Sequence, residues 1–212
     1  MKQICVLLVA LFTASSAIAV PIIGAISVTP NGGNFPADPI IDQSGLVAPY
    51  VSGVTDFDSY VAATLASFAS IAGELGDTAP PPSGNWVFDL GAVFSVDGAA
   101  IWNQFGSASL DQFNLEASLT SDFAVSTPLG IFAMSILGGA NPIAADVFSF
   151  SAVEAQFIRL NVISNAGFAS ATRINEIAFR GTAVGVPEPG SLVLLLTGVV
   201  GLVSARRARW RC

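Results

Sequence analysis

From Asn85 onward the chain alternates apolar and polar residues. In NWVFDLG, Trp86, Phe88 and Leu90 fall on one face. In FNLEASLTSDF, Phe113, Leu115, Ala117 and Leu119 alternate with Asn114, Glu116, Ser118 and Thr120. A period of two describes a strand with one face in a core and the other in water. DVFSFSA, QFIRLNVIS and RINEIAFRG follow, each bounded by Gly, Asn, Ser or Pro. Short strands divided by turns, with no long helices between them, predict an all-β sandwich or barrel. There is no internal repeat of the length that marks solenoids or propellers.

The earlier third follows different rules. PIIGAISVTPNGGNFPADPIIDQSGL is broken by Pro, Gly and Asn and cannot hold a long element. SYVAATLASFASIAGEL, Ser59 to Leu75, has helix-favouring alanines, but its apolar residues surround the axis instead of forming one stripe. It reads as a short helix or a packed loop. TAPPPSG, Thr78 to Gly84, is a connector.

The two ends are apolar for another reason. Lys2, the run Ile4 to Phe12 and the small-x-small site Ala17-Ile18-Ala19 have the layout of a cleaved signal peptide. At the other end, Ser191 to Ala205 carries no charge and stops at Arg206, Arg207, Arg209 and Arg211. As a helix that run spans roughly 22 Å, short against a hydrocarbon core of about 30 Å. Arginine clusters stay cytoplasmic, which puts everything before Ser191 across the membrane. The expected organisation is a signal peptide at 1–19, a β-domain at 20–183 and a tail with a single hydrophobic helix at 184–212. Export would use the Sec machinery, and the tail would insert in the inner membrane transiently.

Removing those ends changes the charge. Between Val20 and Pro189 three arginines face all fifteen acidic residues, a net charge of −12. Such a field repels phosphate backbones, so nucleic acid is not an expected partner. Both cysteines, Cys5 and Cys212, lie in the ends, so the β-domain has neither a disulfide framework nor a thiolate metal site.

The strand motifs come in an order that resembles a known module. W-x-F-D-L-G at Trp86 to Gly91, WNQ at Trp102 to Gln104 and F-N-L-E-A-S at Phe113 to Ser118 are followed by F-I-R-L-N-V at Phe157 to Val162 and R-I-N-E-I-A-F-R-G at Arg173 to Gly181. This resembles the discoidin (coagulation factor 5/8 type C-like) family, from about Asp42 to Gly181. The resemblance implies a galactose-binding-like jelly-roll β-sandwich. It also implies a structural calcium held by an early acidic loop and a late glutamate, here Asp56 and Asp58 in TDFDSY with Glu176. Calcium takes six to eight oxygens, and these three side chains would supply part of that shell. The alternative is that Asp56 and Asp58 form an Asx-type turn and cap the segment that follows. Family members that bind sugars do so through variable loops, and no sugar-binding aromatic is identifiable in the loops here.

Val186-Pro187-Glu188-Pro189, the apolar span and the terminal arginines resemble the PEP-CTERM sorting signal of Gram-negative bacteria. That resemblance implies an exosortase acting at Pro187, Glu188 and Pro189, with Arg206 and Arg207 as the cytoplasmic stop. The alternative is a plain anchor that is never cut. The implied destination is the outer surface or the exopolysaccharide matrix.

Chemistry is limited by what is missing. With no histidine anywhere and no lysine or cysteine in the β-domain, Ser-His and Cys-His nucleophiles, lysine Schiff bases and His or thiolate zinc sites are excluded. Paired carboxylates remain, the chemistry of glycosidases. The expected function is therefore an exported, non-enzymatic carbohydrate-binding or structural matrix protein. The alternative is a small carboxylate-dependent polysaccharide hydrolase. Trp86 and Trp102 are expected in the core, Trp210 at a membrane interface, and Arg159 and Arg173 in ion pairs.

Overall fold

The computed structural model describes residues 19–33, 36–66, 76–135 and 143–185. Ala19 is exposed. Ala17 and the rest of the expected leader before Ala19 lie outside the described residues, as do Pro187, Glu188, Pro189, Arg206, Arg207 and the apolar run before them.

The strands are β1 (Ile22–Ile23), β2 (Ser27–Pro30), β3 (Leu65–Ala66), β4 (Gly76–Thr78), β5 (Asn85–Asn103), β6 (Leu110–Ser118), β7 (Thr127–Ala133), β8 (Ile143–Ala144), β9 (Asp146–Asn165) and β10 (Thr172–Ala183). A 3-10 turn (Asp38–Ile40) and a short α-helix, α1 (Phe57–Ala63), lie between β2 and β3. The strand pairings are antiparallel: the main sheet runs β1-β10-β5-β9-β6-β7, with β2 also on β5 and β4 also on β10, and β3 pairs with β8 separately. The chain forms an all-β sandwich, as the alternating pattern predicts.

Two long strands make a sandwich out of one continuous sheet. The register of β5 on β9 jumps from Asp89↔Phe157 to Phe94↔Ala155. Gly91 sits in that bulge at φ +82, a conformation that costs glycine little and other residues much. The first half of β5 and the second half of β9 join β2, β6 and β7 in one layer. Their other halves join β1, β4 and β10 in the second layer. The layers meet through edge-on aromatic pairs, Phe88 with Phe179 at 5.6 Å and Phe113 with Phe148 at 5.1 Å. Trp86, Phe88, Leu115, Ile158 and Leu160 fill the same core, so Trp86 is a packing residue.

A second apolar cluster covers the far side of the second layer. Ile22, Ala100, Trp102 and Ala178 point outward from β1, β5 and β10 and are buried under Tyr50, Phe57, Val61 and Ala66. Trp102 is fully buried there, and its Nε1 donates to the Thr64 carbonyl at 3.2 Å. Of the stretch Ser59 to Leu75 that reads as helix or packed loop, the first part is helical: α1 covers Phe57–Ala63, then Thr64 turns the chain into β3, and residues 67–75 lie outside the described residues.

Candidate functional site

The outer face of the first layer is where polar residues collect. Register places them in three rows across the strands. Ser27, Asp89, Phe157 and Ser118 form one; Thr29, Val87, Arg159, Glu116 and Pro128 the next; Asn85, Asn161, Asn114 and Ile131 the third. On β5, Asn85, Val87 and Asp89 alternate with the buried Trp86, Phe88 and Leu90, as strand geometry requires.

The middle of this face is tied together internally. Arg159 Nη2 donates to Glu116 Oε2 at 2.6 Å. Asn161 Nδ2 donates to Asn114 Oδ1 at 2.7 Å and to Glu116 Oε1 at 2.9 Å. Ser126 Oγ adds a bond to Glu116 Oε2. Both carboxylate oxygens of Glu116 are therefore engaged. The loop between β6 and β7 folds over this knot, with Arg159 Cζ 4.3 Å from the Phe123 ring centroid. Phe123 holds φ +54, unusual for an aromatic residue, and its ring is nearly buried against the guanidinium. Asp122 shapes the loop by accepting from Thr120 Oγ1 and the Ala124 N–H, which holds its carboxyl below the ordinary carboxylate range.

Beside the knot lies an open groove of about 200 Å³, lined by Ser27, Thr29, Val87, Asp89, Ser121 and Phe157. Asp89 is its one carboxylate. Its Oδ1 accepts from the Gly91 N–H at 2.8 Å and from Gln156 Nε2 at 3.2 Å, so the β5 bulge itself orients the acid. Half-buried Val87 and Phe157 supply the apolar floor, and three hydroxyls surround it. An apolar platform with a few convergent polar groups suits a polar ligand with a hydrophobic face. The volume lies below the roughly 300–1,000 Å³ of enclosed ligand pockets.

The residues singled out for calcium have separate duties. Asp56 is the N-cap of α1: its Oδ1 accepts from the Ser59 N–H at 3.0 Å and from the Ser59 hydroxyl, which lowers its pKa. The capping alternative therefore describes Asp56. Asp58 is exposed and lies 3.5 Å from Arg180 Nη1. Among the described residues, no group of three or more acidic side chains is placed to hold a metal ion. Asp56 and Asp58 thus do not join Glu176 as a ligand set, because helix capping and the arginine already engage them.

Glu176 stands apart. It is fully buried on β10, its Oε2 accepts the Gln43 N–H at 3.0 Å, and its Oε1 has no hydrogen-bond partner. Burial pushes its pKa up to about 9, the Gln43 N–H opposes this, and the nearby Asp42 carboxylate adds to it.

The rare cations behave as expected. Arg159 pairs with Glu116, Arg173 Nε lies 3.7 Å from Asp77, and Arg180 Nε donates to Asp97 at 2.8 Å. Sequence reasoning identified the alternating strands but not the groove. Asp89 and Phe157 lie on different strands, and their adjacency depends on a register set by the bulge.

No family model and no curated protein matches this chain. Several solved structures are similar in outline. The CBM32 of AlyQ, in complex with 4,5-unsaturated mannuronic acid, is 16% identical with a TM-score of 0.46, covering 74% of this chain and 96% of that one. CpGH89CBM32-5 from Clostridium perfringens, in complex with GalNAc-β-1,3-galactose, is 11% identical with a TM-score of 0.48, covering 73% and 94%. Chitosan-binding module 1 of a chitosanase/glucanase from Paenibacillus sp. IK-5 is 13% identical with a TM-score of 0.48, covering 75% and 97%. The sandwich described above rests on this chain's own strand pairing.

Proposed function

We propose that this protein is an exported, non-catalytic carbohydrate-binding module of the cell surface or exopolysaccharide matrix. The groove of Asp89, Phe157 and three hydroxyls on the outer sheet face carries this reading. A sugar ring has one apolar face and a rim of hydroxyls, and this groove offers the complement of both. Hydrolysis would need two working carboxylates. Asp89 is the one acid in the groove, and both oxygens of Glu116 are already taken by Arg159, Ser126 and Asn161.

The leader and tail support export by Sec and sorting by an exosortase at Pro187-Glu188-Pro189, with transient insertion in the inner membrane. We also keep a structural calcium as a proposal, at Glu176 with Asp42 in place of Asp56 and Asp58. It would tie the loop around Gln43 to β10.

A glycan array with the full chain tests the function. Binding to at least one polysaccharide class without product release is expected, and Phe157→Ala should weaken it about tenfold or more. No binding, or turnover of the bound glycan, would overturn the reading. Mass spectrometry of the exported protein tests the sorting proposal, which fails if the arginine tail is intact.

A further inference from the structure

Resting on the glycan-binding reading, we propose that the groove prefers an amino sugar carrying a free ammonium group over neutral sugars and uronic acids. Among the described residues, no cation pairs with Asp89. Its hydrogen-bond donors, the Gly91 N–H and the Gln156 amide, are neutral, and both act on Oδ1. A neighbouring cation on the same face, Arg159, is neutralised by Glu116 at 2.6 Å and roofed by Phe123. Arg180 is held by Asp97 and Arg173 lies by Asp77, both on the second layer. Among the described residues, no basic side chain lines the groove.

A ligand ammonium at Asp89 would form a bond charged on both sides, which is stronger than one from a hydroxyl. Phe157 would carry the apolar face of the ring, while Ser27, Thr29 and Ser121 would meet its hydroxyls. The wider field acts in the same direction. Three arginines against fifteen acids between Val20 and Pro189 attract polycations and repel polyuronates.

The test compares three tetrasaccharides on the full chain by calorimetry at 0.15 M salt: β-1,4-linked glucosamine, its neutral glucose counterpart and a uronic acid tetramer. The glucosamine tetramer should bind about tenfold tighter than the neutral one, with the uronate weakest. Asp89→Asn keeps an oxygen for Gly91 and Gln156. It should erase most of that tenfold ratio between the amino and neutral tetramers. Glu154→Gln removes the same charge from an exposed site on the second layer and should leave the ratio unchanged. Equal binding of amino and neutral tetramers, or an equal fall in the Glu154 and Asp89 variants, would overturn the preference and leave the glycan-binding reading standing. Failure of all three tetramers to bind would also overturn the preference, and only an array with no glycan bound would remove the binding reading beneath it.

Discussion

The two outer faces of the sandwich obey opposite rules, and β5 takes part in both. In its first half, Asn85 to Leu90, every second residue is buried. In its second half, from Gly98 to Asn103, every residue is buried. The first half backs onto the open polar face. The second half is covered on both sides, by the main core and by the cluster around Tyr50, Phe57 and Val61. A strand buried on both faces becomes a continuous apolar run, while a strand with one wet face alternates. The face left open is thus polar at specific positions, and the groove lies there.

The sharpest way to break this contrast is to uncover the closed face. Trp102→Ala should cost about 3–5 kcal/mol, because it removes the largest side chain of the second cluster and its bond to the Thr64 carbonyl. Urea unfolding measures the loss. Limited proteolysis should show new cuts around α1, which packs over Trp102 through Tyr60 at 6.4 Å. A loss below about 1 kcal/mol would mean that the covering segment adds little, and the two faces would then differ in appearance only.

Glu176 tests the same closed face through pH. Its folded pKa of about 9 lies far above the ordinary carboxylate value. Below that ordinary value both states are protonated and the full stability is present. As pH rises toward 9 the unfolded chain has released a proton that the native state keeps, so stability falls by about 1.4 kcal/mol per pH unit and levels off above 9. Glu176→Gln should flatten the slope and stabilise the protein at pH 8. A bound calcium would displace the proton, so millimolar calcium should restore wild-type stability at pH 8 and chelation should remove it. A flat wild-type profile that ignores calcium would count against both the buried proton and the cation.

The legibility of the sequence follows the same division. Alternation in NWVFDLG and FNLEAS revealed the first layer, because a face in water forces polar residues onto every second position. The second layer was recognisable only by its order of motifs: in GAAIWN no residue marks an outside. The candidate site was half visible. Asp89 and Glu116 were outward residues on named strands, but which outward residues meet depends on cross-strand register. That register depends on the bulge at Gly91, three residues before pairing resumes at Phe94. The roles of Asp56 and Asp58 were hard to read for a related reason. TDFDSY fits a helix cap as well as a metal loop, and the distant arginine that meets Asp58 is invisible in local sequence.

The finest distinction lies within the open face, between polar residues kept for stability and those kept for a ligand. Asn161 donates to Asn114 and Glu116 from the third row, outside the groove lining. Asn161→Val removes two half-exposed hydrogen bonds but places a β-branched residue on a strand, so the net change should stay within about 1 kcal/mol. A glycan chain running across all three rows would lose contacts there, and affinity should fall several-fold while the unfolding midpoint barely moves. Unchanged affinity would confine the ligand to the groove of Asp89 and Phe157. A stability loss as large as that of Trp102→Ala would mean that the asparagine row supports the sheet, so the open face would be a structural surface like the closed one.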